Sequence, residues 1–167
     1  MKKKLLLLLP LLILATFILL RVAGTKEQQP TQQQIDLTSI EDRSLIDATL
    51  SGKQFRFEIV NSYASQLLGL SNREEIGSDG MLFVFHRPDK HQIWMKDMTF
   101  NLDLIWLRGN MVVDLILDVP KPKPDQELDT LPIYQPIEKV DMLLEVKAGF
   151  VNEHHIEVGD ELIVINN

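Results

Sequence analysis

The chain contains no cysteine. That absence excludes disulfides, thiolate metal sites, a cysteine nucleophile and a lipid carried on cysteine. Basic charge is scarce beyond the first 24 residues. Four of the 17 lysines and arginines (Lys2, Lys3, Lys4 and Arg21) lie there, leaving 13 against 24 acidic residues, a balance of −11. Such a surface repels phosphate backbones, and no cluster of basic residues interleaves with aromatics, so nucleic acid is not an expected partner. The sequence also lacks a G-x-S-x-G, an H-E-x-x-H and a glycine-rich phosphate loop. No internal repeat is visible, no cofactor is expected, and no complete catalytic motif identifies a nucleophile.

Long apolar runs are confined to one place. Met1-Lys2-Lys3-Lys4 followed by Leu5 to Leu20 joins a basic n-region to a hydrophobic h-region, which places the lysines inside and everything downstream outside the membrane. Val22-Ala23-Gly24 sets small residues at the −3 and −1 positions of a cut after Gly24, while the run reaches spanning length if Arg21 snorkels. Residues 1–24 are therefore a signal peptide or an N-terminal membrane anchor. Residues 25–42, with the Gln-rich Lys26-Glu27-Gln28-Gln29-Pro30 at their start, bury too little apolar area to order and read as a flexible polar linker. A hydrophobic fraction of 45% with 25% charged residues then leaves room for one packed domain over 43–167.

Within that domain the apolar pattern is mostly that of strands. Leu45 to Leu50 and Lys53 to Val60 flank Ser51-Gly52 as a hairpin, with Phe55, Phe57 and Ile59 alternating against Arg56 and Glu58. Ser62 caps a short helix through Leu68 that Gly69 ends, and Ser71 with Glu74 has the spacing of a second helical turn. Met81 to Phe85 is a continuous apolar run, expected to be a central strand covered on both faces. His86 to His91 reads as a loop around Pro88-Asp89, followed by strands at Gln92 to Lys96, Leu102 to Leu107 and Met111 to Val119. Five prolines between Pro120 and Pro136 rule out a central strand there and predict a stiff surface excursion. Ile137 to Val146 resumes period two, with Val140, Met142, Leu144 and Val146 on one face and Asp141, Leu143 and Glu145 on the other. One or two helical turns over Ala148 to His155 and a last strand at Glu161 to Ile165 complete the pattern. The expected fold is mainly β (α+β), a compact antiparallel barrel or sandwich with short helical insertions.

Several segments in this order carry a likeness to a known family. They are Gly69-Leu70 with Arg73, Gly80 to Phe85, Trp94-Met95-Lys96-Asp97-Met98, Leu102-Asp103, Leu144-Glu145-Val146 with Ala148-Gly149, and Val158-Gly159-Asp160. Over roughly Leu45 to Val164 the chain resembles the domain of unknown function 192, a bacterial and archaeal domain often found behind a signal sequence or anchor. The resemblance implies a small, mainly β fold and a polar groove around the Trp94 to Met98 segment. It implies no activity. The chain departs from the usual pattern at Ser71-Asn72 and at Asp97.

The charged residues inside apolar runs are the candidates for function. Asp103 interrupts the strand Leu102 to Leu107, and a buried carboxylate needs a partner. Lys96 and Arg73 are the expected ones, either as a buried ion pair that ties the chain together or as a pair oriented towards a ligand. Trp94 shares a strand face with Lys96, so it is either a core tryptophan or an indole platform beside a cation. Met81, Met95 and Met98 read as core fillers. Glu145 and Asp141 have the alternation of a solvated strand face, yet Glu145 with Asp103 would also supply the two carboxyl groups of a glycoside hydrolase, set about 5 to 9.5 Å apart. His86, Asp89, His91, His154 and His155 have ligand chemistry, but adjacent histidines diverge and no metal site is expected. The leading expectation is a non-catalytic domain whose groove of Arg73, Trp94, Lys96, Asp97, Asp103 and Glu145 binds a small ligand or an envelope component. The domain would be held at the membrane by its N-terminal segment or secreted after cleavage. A hydrolase acting on envelope saccharide and a purely structural domain are the alternatives.

Overall fold

In the computed structural model, residues 35–165 are described; the leader and most of the expected linker lie outside them. The Ser51-Gly52 hairpin forms as the alternation predicts, joining β1 (Leu45–Leu50) to β2 (Lys53–Val60) in antiparallel register. Ser62 accepts from the Ser65 N–H and starts α1 (Tyr63–Leu68), which Gly69 closes in the left-handed region. The strands β3 (Gly80–Asp89), β5 (Leu102–Arg108), β6 (Met111–Val119), β8 (Val140–Lys147) and β9 (Leu162–Val164) complete a seven-stranded sheet in the order β6-β5-β8-β3-β2-β1-β9. The short strands β4 (Ile93–Trp94) and β7 (Ile133–Tyr134) pair separately, and α2 (Phe150–His154) follows β8. The fold is mainly β, as the sequence predicts.

The sheet curls into a half-barrel whose outer strands meet at one end. Met111 of β6 bridges Glu161, the Val112 N–H donates to the Asp160 carbonyl at 2.9 Å, and the Leu162 N–H donates to the Asn110 carbonyl at 2.8 Å. Such closure occupies backbone groups that free sheet edges would expose. The three central strands are covered on both faces. Leu82, Val84, Ile105, Leu107, Met142, Leu144 and Val146 face one core with Phe57, Ile59 and Val151, while Met81, Phe83, Leu104, Trp106 and Leu143 face a second core with Leu70, Met95 and Met98. This explains why Met81 to Phe85 reads as a continuous apolar run rather than an alternating one.

Several details differ from the sequence pattern. The β2–β3 pair is parallel, and the connection from Asn61 to Asp79, which carries α1, makes the crossover that a parallel pair requires. Ser71 and Glu74 form no helical turn. The Ser71 hydroxyl donates to the Lys96 carbonyl instead, and Asn72 takes φ 61°, which ends any helical path. β3 runs on through His86 to Asp89, where the sequence predicts a loop, because a register shift between Val84 and Asp89 absorbs Pro88. The expected strand at Gln92 to Lys96 is only the two residues of β4, paired with β7 inside the proline-rich excursion. Residues 36–42, the end of the expected linker, are held against β2: the Asn61 amide donates to the carbonyls of Leu37, Thr38 and Ile40. Burial of the Asp42 carboxyl favours its protonated form, but hydrogen bonds from Asn61, Ser65 and Ser62 more than offset this and bring it down to about 2. Among the described residues, no helix is long and apolar enough to cross a membrane.

Gly80 shows how closely the central strands approach. A Cβ at this position would lie 2.8 Å from the Glu145 carbonyl oxygen and 2.8 Å from Val146 Cγ1. One of these neighbours is backbone of a central strand and cannot swing aside. Gly80→Ala is therefore expected to cost about 1–3 kcal/mol of stability, despite the entropy an alanine removes from the unfolded chain. Urea unfolding checks this, and an unchanged midpoint would show that β3 and β8 can separate freely.

Candidate functional site

In β8, Glu145 pairs with Met81 of β3 on one side and Leu104 of β5 on the other, so its side chain projects to the same face as theirs. That face is roofed by the chain from α1 to Met98. The roof leaves a pocket of about 160 Å³, with Leu70, Phe83, Met95, Met98 and Leu102 as apolar wall and Gln66, Ser71 and Gln92 as polar points. Trp94 contributes an indole that is 48% exposed. Glu145 lines this pocket and is only 5% exposed, and its carboxyl makes no hydrogen bond among the described residues. Burial without a compensating donor or cation pushes its carboxyl up to about 8. The expectation of a solvated strand face at Glu145 is thus replaced by a buried one.

Lys96 stays near this site. Its ammonium lies 5.7 Å from the centre of the Trp94 ring, a cation–π contact, but Lys96 sits in the turn after β4 and not on a strand face shared with Trp94. Asp97 is exposed beyond it, at φ 58°, and its carbonyl accepts from the Asn72 N–H at 2.7 Å. Asn72 and Asp97, two of the positions where the chain departs from the usual pattern, thus contact each other. Both are left-handed, a conformation that asparagine and aspartate tolerate best among side-chain-bearing residues.

Asp103 is elsewhere. Its register partner in β8 is Val146, next to Glu145, so the two carboxyl groups project from opposite faces of the sheet. Asp103 is 1% exposed, and its partners are neither Lys96 nor Arg73. One carboxylate oxygen accepts from the Asp118 N–H at 2.9 Å, and the other accepts from the Gly149 and Val151 N–H groups at 3.0 and 3.1 Å. The carboxylate therefore joins the bulged end of β6 to the first turn of α2. Arg73 is used structurally too. Its guanidinium grips Glu58 of β2 through both nitrogens at 2.7 and 2.9 Å and also donates to the Ile76 carbonyl. The Arg73 fork, with desolvation opposing it and Arg43 assisting, holds the Glu58 carboxyl below its ordinary range. Of the six residues expected to form one groove, the fold brings Trp94 and Glu145 to one pocket, sets Lys96 against the Trp94 indole outside its lining, leaves Asp97 outside, and sends Arg73 and Asp103 to other tasks.

The histidines are apart from the pocket. His91 stacks on Phe85 with ring centres 3.6 Å apart, and His154 packs edge-on against Phe55 and Phe150. Among the described residues, no three histidine, aspartate or glutamate side chains converge as a metal site.

The profile of a known family, the domain of unknown function 192, described as uncharacterized ACR, matches residues 46–164. The chain belongs to this family. No curated protein matches it. Two solved structures resemble this DUF192 domain. One, from Sinorhizobium meliloti 1021, is described as "a putative transcription regulator"; it is 23% identical, with a TM-score of 0.64 over 75% of this chain and 97% of that one. The other is a protein of unknown function from Novosphingobium aromaticivorans DSM 12444. It is 26% identical, with a TM-score of 0.60 over 71% of this chain and 84% of that one. The first likeness extends to the fold alone.

In this DUF192 domain the separate segments that carry the family likeness converge on the pocket: Gly69-Leu70, Phe83, Trp94, Met95, Met98, Leu102 and Glu145 all lie at its wall. Gln66 and Gln92 are wall residues that the sequence pattern does not single out. Gln66 has a visible reason for its place, since its amide donates to the Val60 and Val84 carbonyls and fixes α1 over β3.

Proposed function

We propose that the chain is a non-catalytic binding domain of the cell envelope that takes a small ligand in the pocket between Trp94 and Glu145. The observation that carries this reading is Glu145, a carboxyl buried at a pocket wall without any partner among the described residues. A buried polar group left unpaired destabilises a fold, and a ligand able to pair with it removes that cost. Exposed Trp94 supplies a planar surface at the same pocket, where a ring or a hydrocarbon would find apolar contact. Glycoside hydrolysis needs a second carboxyl group across the cleft, and Asp103 projects from the other face. The envelope location rests on the leader: its basic start and apolar run favour export, with the domain tethered by an uncleaved anchor or released after Gly24. Lysines placed inside by their charge put the remainder of the chain outside.

Thermal unfolding of the protein against a panel of envelope sugars, muropeptides, amino acids and amines tests the reading. A ligand at 100 times its dissociation constant adds about 2.7 kcal/mol. Trp94→Ala, a change at an exposed side chain, is expected to leave the unliganded stability within about 0.5 kcal/mol and to remove the ligand-induced shift. A panel without any shift, or a shift that survives Trp94→Ala, would move the search away from this pocket.

A further inference from the structure

We infer that the group this pocket receives is the ammonium of a small organic amine with an apolar body, seated on the Glu145 carboxylate. The inference rests on the binding reading above and names the ligand chemistry. Three observations lead to it. Among the residues that line the pocket, Glu145 is the only titratable one; α1, β3, β4, β5 and the loops beside α1 and β4 present Gln66, Ser71, Gln92 and apolar side chains there, with no cation. The rest of the wall is hydrocarbon, aromatic and thioether, surfaces that suit methylene groups and the soft faces of a cation. The space, about 160 Å³, matches a benzene-sized body, since a cavity of about 150 Å³ accepts benzene.

The charges choose between ligand classes. An anionic group would meet the carboxyl of Glu145 and repel its ionised form. A neutral hydroxyl would accept its proton in a hydrogen bond but would leave the excess acidity of the domain unused. An ammonium supplies the missing counter-charge in a site of low dielectric, where a charge-assisted hydrogen bond is strongest. Lys96, beside Trp94, is the nearby like charge. It does not line the pocket, and it favours a ligand whose outer end is neutral or anionic while the ammonium points inward.

Binding of an ammonium is then coupled to proton release. Burial holds the Glu145 carboxyl at about 8 in the unliganded protein, so at pH 7 it is mostly protonated. Pairing with a cation favours the ionised form, and the proton leaves to solvent as the ligand enters. An alkylammonium, with a pKa near the lysine value of about 10.4, stays charged throughout this range.

Isothermal titration of the full-length protein with hexylamine and with 1-hexanol, in buffers of different ionisation enthalpy, tests the inference. Expected are millimolar or tighter binding of hexylamine, release of about one proton per ligand at pH 7, and affinity that rises about tenfold per pH unit from pH 6 towards pH 8. Glu145→Gln should weaken hexylamine by about thirtyfold or more while 1-hexanol is unaffected. Hexanol binding as tightly as hexylamine, without proton release, would overturn the ammonium and leave the pocket reading standing. Hexylamine binding unchanged in Glu145→Gln would also overturn it, placing the amine elsewhere. Failure of both probes overturns the ammonium, and together with a flat ligand panel it removes the pocket reading as well.

Discussion

Asp103→Ala is expected to lower the unfolding free energy by about 4 kcal/mol or more, a loss at the upper end of what a single substitution causes. The basis is that three backbone N–H groups, those of Asp118, Gly149 and Val151, end on this one carboxylate, which is almost fully buried. Removal of an acceptor costs about 1–3 kcal/mol for each donor left unsatisfied, fully at the buried Val151 N–H and in part at the more open Asp118 and Gly149 N–H groups. Relaxation of the α2 turn towards water recovers part of the loss. Asp118 itself sits at φ 50° in the bulge of β6, and its carboxylate accepts from the Asn101 amide at 3.1 Å, so the strained residue and its support fail together. For a domain of this size the change corresponds to a melting temperature lower by about 15 °C. Lys96→Ala is the control. Among the described residues its ammonium touches only an exposed indole, and a loss below about 1 kcal/mol is expected. A large loss in Lys96→Ala with a small one in Asp103→Ala would reinstate the ion pair that the sequence suggests.

That reversal shows what a sequence can reveal of such a site. A carboxylate inside the apolar run Leu102 to Leu107 announces that it needs partners, and this is correct. The partners are backbone N–H groups, which nearly every residue carries, so no residue type marks them. Side chains are the partners a sequence displays, and on that ground Lys96 and Arg73 are the expected ones for Asp103. Arg73 instead finds Glu58, a residue whose alternation with Phe57 and Ile59 is legible while its partner across the crossover is not. The period of two in β8 places Glu145 and Leu143 on one face, as observed. Whether that face meets water depends on α1 and the segment through Met98, which lie over β8 only after the parallel β2–β3 crossover has formed. Period gives the direction of a side chain, and topology gives its surroundings. The β elements with clean alternation or continuous apolar runs are legible. The turn at Ser71, the extension of β3 and the shortness of β4 are decided by pairing partners distant in sequence.

The second large effect belongs to Glu145 and has the opposite sign. Its carboxyl is raised from the ordinary 4.5 to about 8 by burial alone. Between these two values the folded protein keeps a proton that the unfolded chain has lost. The contribution of this carboxyl to stability is therefore greatest below about 4.5, falls by about 1.4 kcal/mol per pH unit as the pH rises, and stops falling above about 8. Summed over that window, the loss is on the order of 5 kcal/mol. Glu145→Gln keeps the shape and cannot ionise. The variant is expected to match the parent near pH 5 and to exceed it by several kcal/mol at pH 8, read by urea unfolding at pH 5, 6.5 and 8. Because the comparison is between variant and parent, titration of histidines and surface carboxylates cancels. A variant less stable than the parent at every pH would mean that Glu145 is paired within its own chain, and the argument for a ligand at this carboxyl would lapse. A variant that gains stability while losing amine binding would mean that the fold retains Glu145 against its own stability, which is the behaviour expected of a binding residue and not of a structural one.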